Sequence, residues 1–194
     1  MAIYSGGTLV IDATNVQSPR LTGNLPAING ASLTNLSAGK ILNYGYATPN
    51  TGFASRTSST FGEMSTSFRA AITPTASNSI LWIIATFNVG MNNTSNLGQF
   101  KIYDITNSTN VNTSSSGNRQ ECHGSLRQQD ADINDTDTVT LQATVGASNT
   151  TARTYGVHHK NENGSRTNYF FGNYSDSTSL GYAKPSILIL EMAA

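Results

Sequence analysis

Residues Ile80-Leu81-Trp82-Ile83-Ile84-Ala85-Thr86-Phe87-Asn88-Val89-Gly90-Met91 hold the chain's only Trp and its densest run of β-branched and aromatic side chains. A membrane-crossing helix takes about 20 apolar residues, so this run is too short for one, and its Ile-rich make-up suits a strand. Alternation sends Trp82, Ile84 and Thr86 to one face and Leu81, Ile83, Ala85 and Phe87 to the other. Because both sets are largely apolar, the strand is expected to be covered on both faces. That requires a second sheet, or a neighbouring subunit, on the far side.

The rest of the chain carries the same signal in shorter pieces. Ile41–Tyr46, Phe68–Thr73, Gln99–Ile105, Thr154–His159 and Tyr169–Tyr174 are rich in β-branched or aromatic residues, and a weaker strand is expected over Arg119–Arg127. Thr138–Val145 alternates cleanly, with Val139, Leu141, Ala143 and Val145 inward. Ser186–Met192 is apolar on both faces, like the Trp82 run. This closing strand and the Val139–Val145 strand are the expected cover for the Trp82 strand. Pro, Gly, Asn and Ser punctuate the segments, and Gly6, Gly7 and Gly45 are read as turn glycines. No stretch shows a capped apolar stripe of period 3.6. Roughly eight or nine strands at even spacing predict an all-β, antiparallel sandwich over residues 40–194.

Charge bears on partners. Only 11 % of the 194 residues are charged and the formal net charge is zero, where an average domain has roughly 25 % charged residues. A neutral surface offers no bulk attraction to nucleic acid or to an anionic membrane. Ser, Thr and Asn supply about a third of the chain, an unusual share. A neutral, hydroxyl-rich chain has little charge to keep it from self-association and is best suited to an assembly. The start Met1–Gly7 lacks the basic and apolar regions of a secretion signal, so the Asn-X-Ser/Thr triplets are not read as glycan sites. A lone Cys122 rules out an intrachain disulfide framework.

Residues 1–39 differ in texture. Single apolar residues are set among Gly, Asn, Ser and Pro, and Pro19 and Pro26 prevent a useful helix. Leu21-Thr22-Gly23-Asn24-Leu25 and Leu33-Thr34-Asn35-Leu36 are two imperfect copies of one unit. An extended arm cannot bury such residues alone. Ile3, Leu9, Ile11, Leu21, Leu25, Ile28, Leu33 and Leu36 are therefore the candidate partner-binding residues.

Three phrases carry a resemblance. They are Leu25-Pro26-Ala27-Ile28-Asn29-Gly30-Ala31-Ser32-Leu33-Thr34-Asn35-Leu36 followed by Gly39-Lys40-Ile41-Leu42; Ile72-Thr73-Pro74 leading to Ser79-Ile80-Leu81; and Ser186-Ile187-Leu188-Ile189-Leu190-Glu191-Met192. Together they resemble fibre and surface proteins of tailed-phage virions, those of marine and cyanobacterial phages above all. Ser79 stands where that family usually has Lys, and Arg119–Asp137 has no counterpart. The resemblance implies a jelly-roll-like sandwich, commonly trimeric, without enzymatic activity. With barely two copies of the lead-in, no long shaft is expected.

The chemical candidates are thin. His158 and His159 are adjacent in a strand, so their rings face opposite ways and cannot share a metal; His159, on the Tyr155 and Val157 face, is expected to be a partly buried structural histidine. Asp130, Asp132 and Asn134 have the spacing that opens a calcium loop, but Asp135 stands where Gly is needed and Leu141 where the bidentate Glu belongs. No nucleophile elbow or P-loop is present. Tyr44, Tyr46, Tyr169, Phe171, Tyr174 and Tyr182 either pack the sandwich or an interface, or form a sugar-binding surface. The resulting expectation is a virion structural protein with no cofactor, metal or catalytic residue, made in the host cytoplasm. It would be a homotrimeric capsid decoration or cement protein whose arm contacts the major capsid protein or another virion protein. The alternative is a short tail fibre or receptor-binding tip that recognises host surface glycans.

Overall fold

The computed structural model describes residues 3–5, 8–10, 40–49, 54–92, 96–113, 121–127, 136–171 and 184–194. Two compact units divide the chain, Met1–Leu36 and Ser37–Ala194. In the first, β1 (Ile3–Ser5) and β2 (Thr8–Val10) pair antiparallel, with Ile3 opposite Val10 and Tyr4 opposite Leu9. The start of the arm thus contains two paired antiparallel strands.

Every regular element described in the second unit is a strand. In chain order they are β3 (Ile41–Ala47), β4 (Ala54–Arg56), β5 (Gly62–Glu63), β6 (Arg69–Ile72), β7 (Ile80–Met91), β8 (Leu97–Asp104), β9 (Thr109–Asn110), β10 (Gly124–Arg127), β11 (Asp137–Gly146), β12 (Arg153–Asn161), β13 (Asn168–Phe170) and β14 (Ser186–Met192). The protein is all-β, and its strands form two antiparallel sheets packed as a curled, jelly-roll-like sandwich. In the first sheet β7 is central: β11 lies along one edge, and β14 then β13 lie along the other, with β3 beyond β14 and β4 beyond β13. In the second, β8 and β12 are central, flanked by β10 and β9 on one side and by β5 and β6 on the other.

The core lies between the sheets. Leu81, Ile83, Ala85, Phe87, Val89 and Met91 project from β7 and are buried against Phe100, Ile102, Tyr155, Val157, Ala70 and Ile72. Phe68, Phe87, Phe100 and Phe171 interlock edge-on, with ring centres 5.8 Å apart for Phe68–Phe87, 5.3 Å for Phe87–Phe100 and 5.2 Å for Phe68–Phe171. Each such pair adds about 0.5–1.5 kcal/mol beyond its buried area.

Three expectations are corrected by this arrangement. β14 and β11 do not cover β7; they are its hydrogen-bonded neighbours in the same plane, and the cover comes from the sheet built on β8 and β12. Gly45 is not in a turn. It sits inside β3, where an added Cβ would collide with the Ala71 carbonyl oxygen, so the missing side chain lets the two sheets close at that edge. The aromatic strand expected to run on to Tyr174 ends at Phe170. Phe171 takes a left-handed backbone, φ 69°, which turns its ring into the core beside Phe170 where strict alternation would point it outward.

Candidate functional site

Alternation and register define what the first sheet shows on its outer side. Thr144, Trp82, Leu190 and Tyr44 form one row across β11, β7, β14 and β3; Gln142, Ile84, Leu188 and Tyr46 form the next; Thr140, Thr86 and Ser186 form a third. Over β11 the face is polar, with Thr86 and Thr140 hydroxyls 3.2 Å apart. Over β7, β14 and β3 it is aliphatic and aromatic. Tyr44 is 69 % exposed, Tyr46 59 %, and Ile41 and Ile80 at the same end are 55 % and 39 % exposed. Trp82, Ile84, Leu188 and Leu190 between them are half-buried. None of these rows holds a charged side chain.

Of the two kinds of cover expected for β7, a second sheet lies on one side only. Among the described residues of the second unit one sheet covers the inner face, and none of its strands covers the Trp82 face. Contiguous exposed apolar area is uncommon on a monomer's surface. β11 supplies the contrast within the same sheet: its outward residues Thr138, Thr140, Gln142 and Thr144 are polar, as solvent requires.

The strand that carries Leu188 and Leu190 is locked from behind. Glu191 faces inward opposite Leu81 and Asn43 and is fully buried. Its carboxylate accepts hydrogen bonds from the Thr75 N–H at 2.8 and 2.9 Å, the Ala76 N–H at 3.0 Å, the Thr75 hydroxyl at 3.1 Å and the Ser79 hydroxyl at 2.7 Å. Burial alone would raise the pKa of this carboxyl, but the donors outweigh it and hold the value below the ordinary carboxylate range. The Pro74–Ser79 connection and the closing strand, two of the phrases singled out in the sequence, thus meet at one buried ion.

A second buried polar group closes the other end of the sandwich. The Asn96 amide donates to Asn161 at 3.1 Å and to Asn168 at 2.6 Å, Asn168 lies 2.7 Å from His159 Nε2, and Asn161 donates to the carbonyls of Arg56 and Arg166. His159 is completely buried, more deeply than the sequence suggested, between the rings of Phe100 and Phe170. Burial, then the Arg56 charge, pushes its pKa down to about 3, so it is neutral. His158 is on the opposite face, stacked 3.7 Å from Tyr103, and burial followed by the Lys101 charge lowers it to about 4.

Of the candidate arm residues, Ile3 and Leu9 lie in the paired strands β1 and β2, while Ile11, Leu21, Leu25, Ile28, Leu33 and Leu36 fall outside the described residues. So do Asp130, Asp132, Asn134 and Asp135, and also Tyr174 and Tyr182. Of the aromatic set, Tyr44 and Tyr46 are brought together on the outer face, whereas Phe171 is core. Among the described residues no group of His, Cys, Asp and Glu is placed to hold a metal ion, and no helix is long and apolar enough to cross a membrane. No protein-family model matches the chain, and no curated protein matches it.

Proposed function

We propose that this chain is a non-enzymatic structural subunit of a tailed-phage virion, a homotrimeric capsid decoration or cement protein. The observation that carries the assembly role is the uncharged, aromatic and aliphatic outer face of β7, β14 and β3 on the two-sheet sandwich. The neighbouring copies of a trimer suit that face because no like charges are brought together when uncharged surfaces meet. The phage setting rests on the sequence resemblance. In this reading the arm, residues 1–39, anchors the subunit by burying Ile3, Leu9, Ile11, Leu21, Leu25, Ile28, Leu33 and Leu36 against the major capsid protein or a neighbouring arm, and the sandwich projects outward.

Light scattering at micromolar concentration tests the assembly. A trimer mass is expected, and Leu188→Lys should convert it to monomer with an unchanged far-ultraviolet spectrum, since the position is at the surface. A wild-type monomer overturns the proposal. Deleting residues 1–36 should leave a folded trimer that no longer binds empty phage heads. Full decoration by the truncated protein would refute the arm's role.

A further inference from the structure

The other side of the sandwich has a different chemistry. Lys101 and Tyr103 of β8 and His158 and Lys160 of β12 face outward, with Lys101 opposite His158 and Gln99 opposite Lys160. Beside them Glu63 and Arg69 satisfy one another, through Nε–Oε1 at 2.5 Å and Nη2–Oε2 at 2.6 Å. The two lysines have no such partner among the described residues, whose ion pairs are Arg69–Glu63 and Arg127–Glu162.

Both lysines reach instead toward one aromatic ring. Lys101 Nζ lies 4.2 Å from the centre of Phe61 and 6.0 Å from that of Tyr103, and Lys160 Nζ lies 5.3 Å from the centre of Phe61. Lys101 is only 6 % exposed. Diagonal positions on adjacent strands are about 7–8 Å apart, and two ammonium groups there repel. Loss of water lowers the Lys101 pKa first; Glu121 opposes that, Lys160 adds to it, and Cys122 opposes it weakly. Glu121 accepts from the Thr113 hydroxyl and acts on Lys101 as a negative charge without forming an ion pair with it. His158 is neutral, and it stacks on Tyr103 at one side of the lysine pair.

A cation–π clamp needs one lysine on the ring. Two of the chain's four lysines converge here, in a sequence with very little charge, and neither forms an ion pair among the described residues. We propose that Lys101 and Lys160, set on Phe61 with Gln99 alongside, form a binding site for an oxyanion, the sulfate, phosphate or carboxylate group of a small ligand. The anion bridges the two ammonium groups, Gln99 offers a neutral donor, and the aromatic floor holds the lysines extended. The site is on the sheet opposite the Trp82 face and does not depend on the assembly reading.

Titration calorimetry on the full chain tests this, using sodium sulfate, sodium phosphate and glucuronate as probes, with glucose as the neutral analogue and sodium chloride at matched ionic strength as the control. Saturable binding of at least one oxyanion, absent with glucose and chloride, is the expected result, and the three oxyanion arms separate the sources. Lys160→Gln should weaken it about tenfold or more, in line with one charge-assisted hydrogen bond. Lys101→Met should abolish it, and Lys184→Gln, at an exposed position just before β14, should leave it unchanged. If Lys101→Met fails to fold, the Lys160→Gln comparison decides. Equal effects from chloride, or an affinity within about twofold of wild type in Lys160→Gln, would mean an adventitious ion only and overturn the proposal.

Discussion

Removing the Glu191 carboxylate is the sharpest test of how the outer face is held. Four donors converge on it: the Thr75 and Ala76 N–H groups and the Thr75 and Ser79 hydroxyls. Hydrogen bonds to a charged group are each worth about 1.5–3 kcal/mol, but they do not all count in full. The Ser79 hydroxyl has one proton to give, and it turns it to the Ala76 carbonyl, 2.8 Å away, when the carboxylate is gone. Thr75 is exposed and regains water. What remains is the Ala76 N–H, part of the Thr75 set and the space left by the side chain, which together give about 3 kcal/mol for Glu191→Ala. For a chain of this length that lowers the melting temperature by about 6–12 °C. Trp82 is the natural reporter, because its cross-strand neighbour is Leu190, the residue before Glu191. Urea unfolding followed by Trp82 fluorescence should show the loss at neutral pH, with an unchanged slope. Glu162→Ala is the control: its pairing with Arg127 is exposed on both sides and is worth under about 1 kcal/mol. The folded carboxyl is depressed, so the stabilisation is present above the ordinary carboxylate pKa and fades as pH falls through the folded value. An Ala variant within about 1 kcal/mol of wild type at pH 7 would show that the donors are solvated in the folded chain and refute the reasoning.

Two further perturbations follow from the core. His159 is held near pKa 3, against about 6.5 unfolded, so the unfolded chain takes up the proton first and stability falls as pH drops below 6.5; between pH 7 and 5 the loss is about 2 kcal/mol. Urea midpoints at the two pH values should show it, and His159→Gln, which keeps an acceptor for Asn168, should remove most of the difference; a slope unchanged in that variant would assign it elsewhere. Gly45→Val should cost about 2–3 kcal/mol, because the Ala71 carbonyl is backbone and cannot swing away, and thermal unfolding within about 2 °C of wild type would refute the close approach.

Local pattern determined a good deal of this protein. Alternation in Thr138–Val145 and the density of Ile, Trp and Phe in Ile80–Met91 depend only on nearest neighbours and on the period of two, and both strands stand where those patterns put them. The opposed directions of His158 and His159 came from the same period. Pairing and layering were beyond its reach. That β14 and β11 lie beside β7 and not over it depends on which backbone groups find each other across distant parts of the chain, and period alone is silent on that. Residue type could not tell buried from exposed apolar residues either: in β14 Ile189 is fully buried, while Leu188 and Leu190 on either side of it stay half-exposed.

The meeting of Glu191 with Ser79 spans 112 positions, and that of Lys101 with Lys160 on the ring of Phe61 joins three separate strands or loops. The sequence by itself determined where the long strands Ile80–Met91, Thr138–Val145 and Ser186–Met192 lie and which of their faces are apolar, because those follow from short-range sterics and water. Only the tertiary structure decided that one apolar face is core and the other is surface, because a single second sheet covers one side of β7 and leaves Trp82, Ile84, Leu188, Leu190, Tyr44 and Tyr46 on the other.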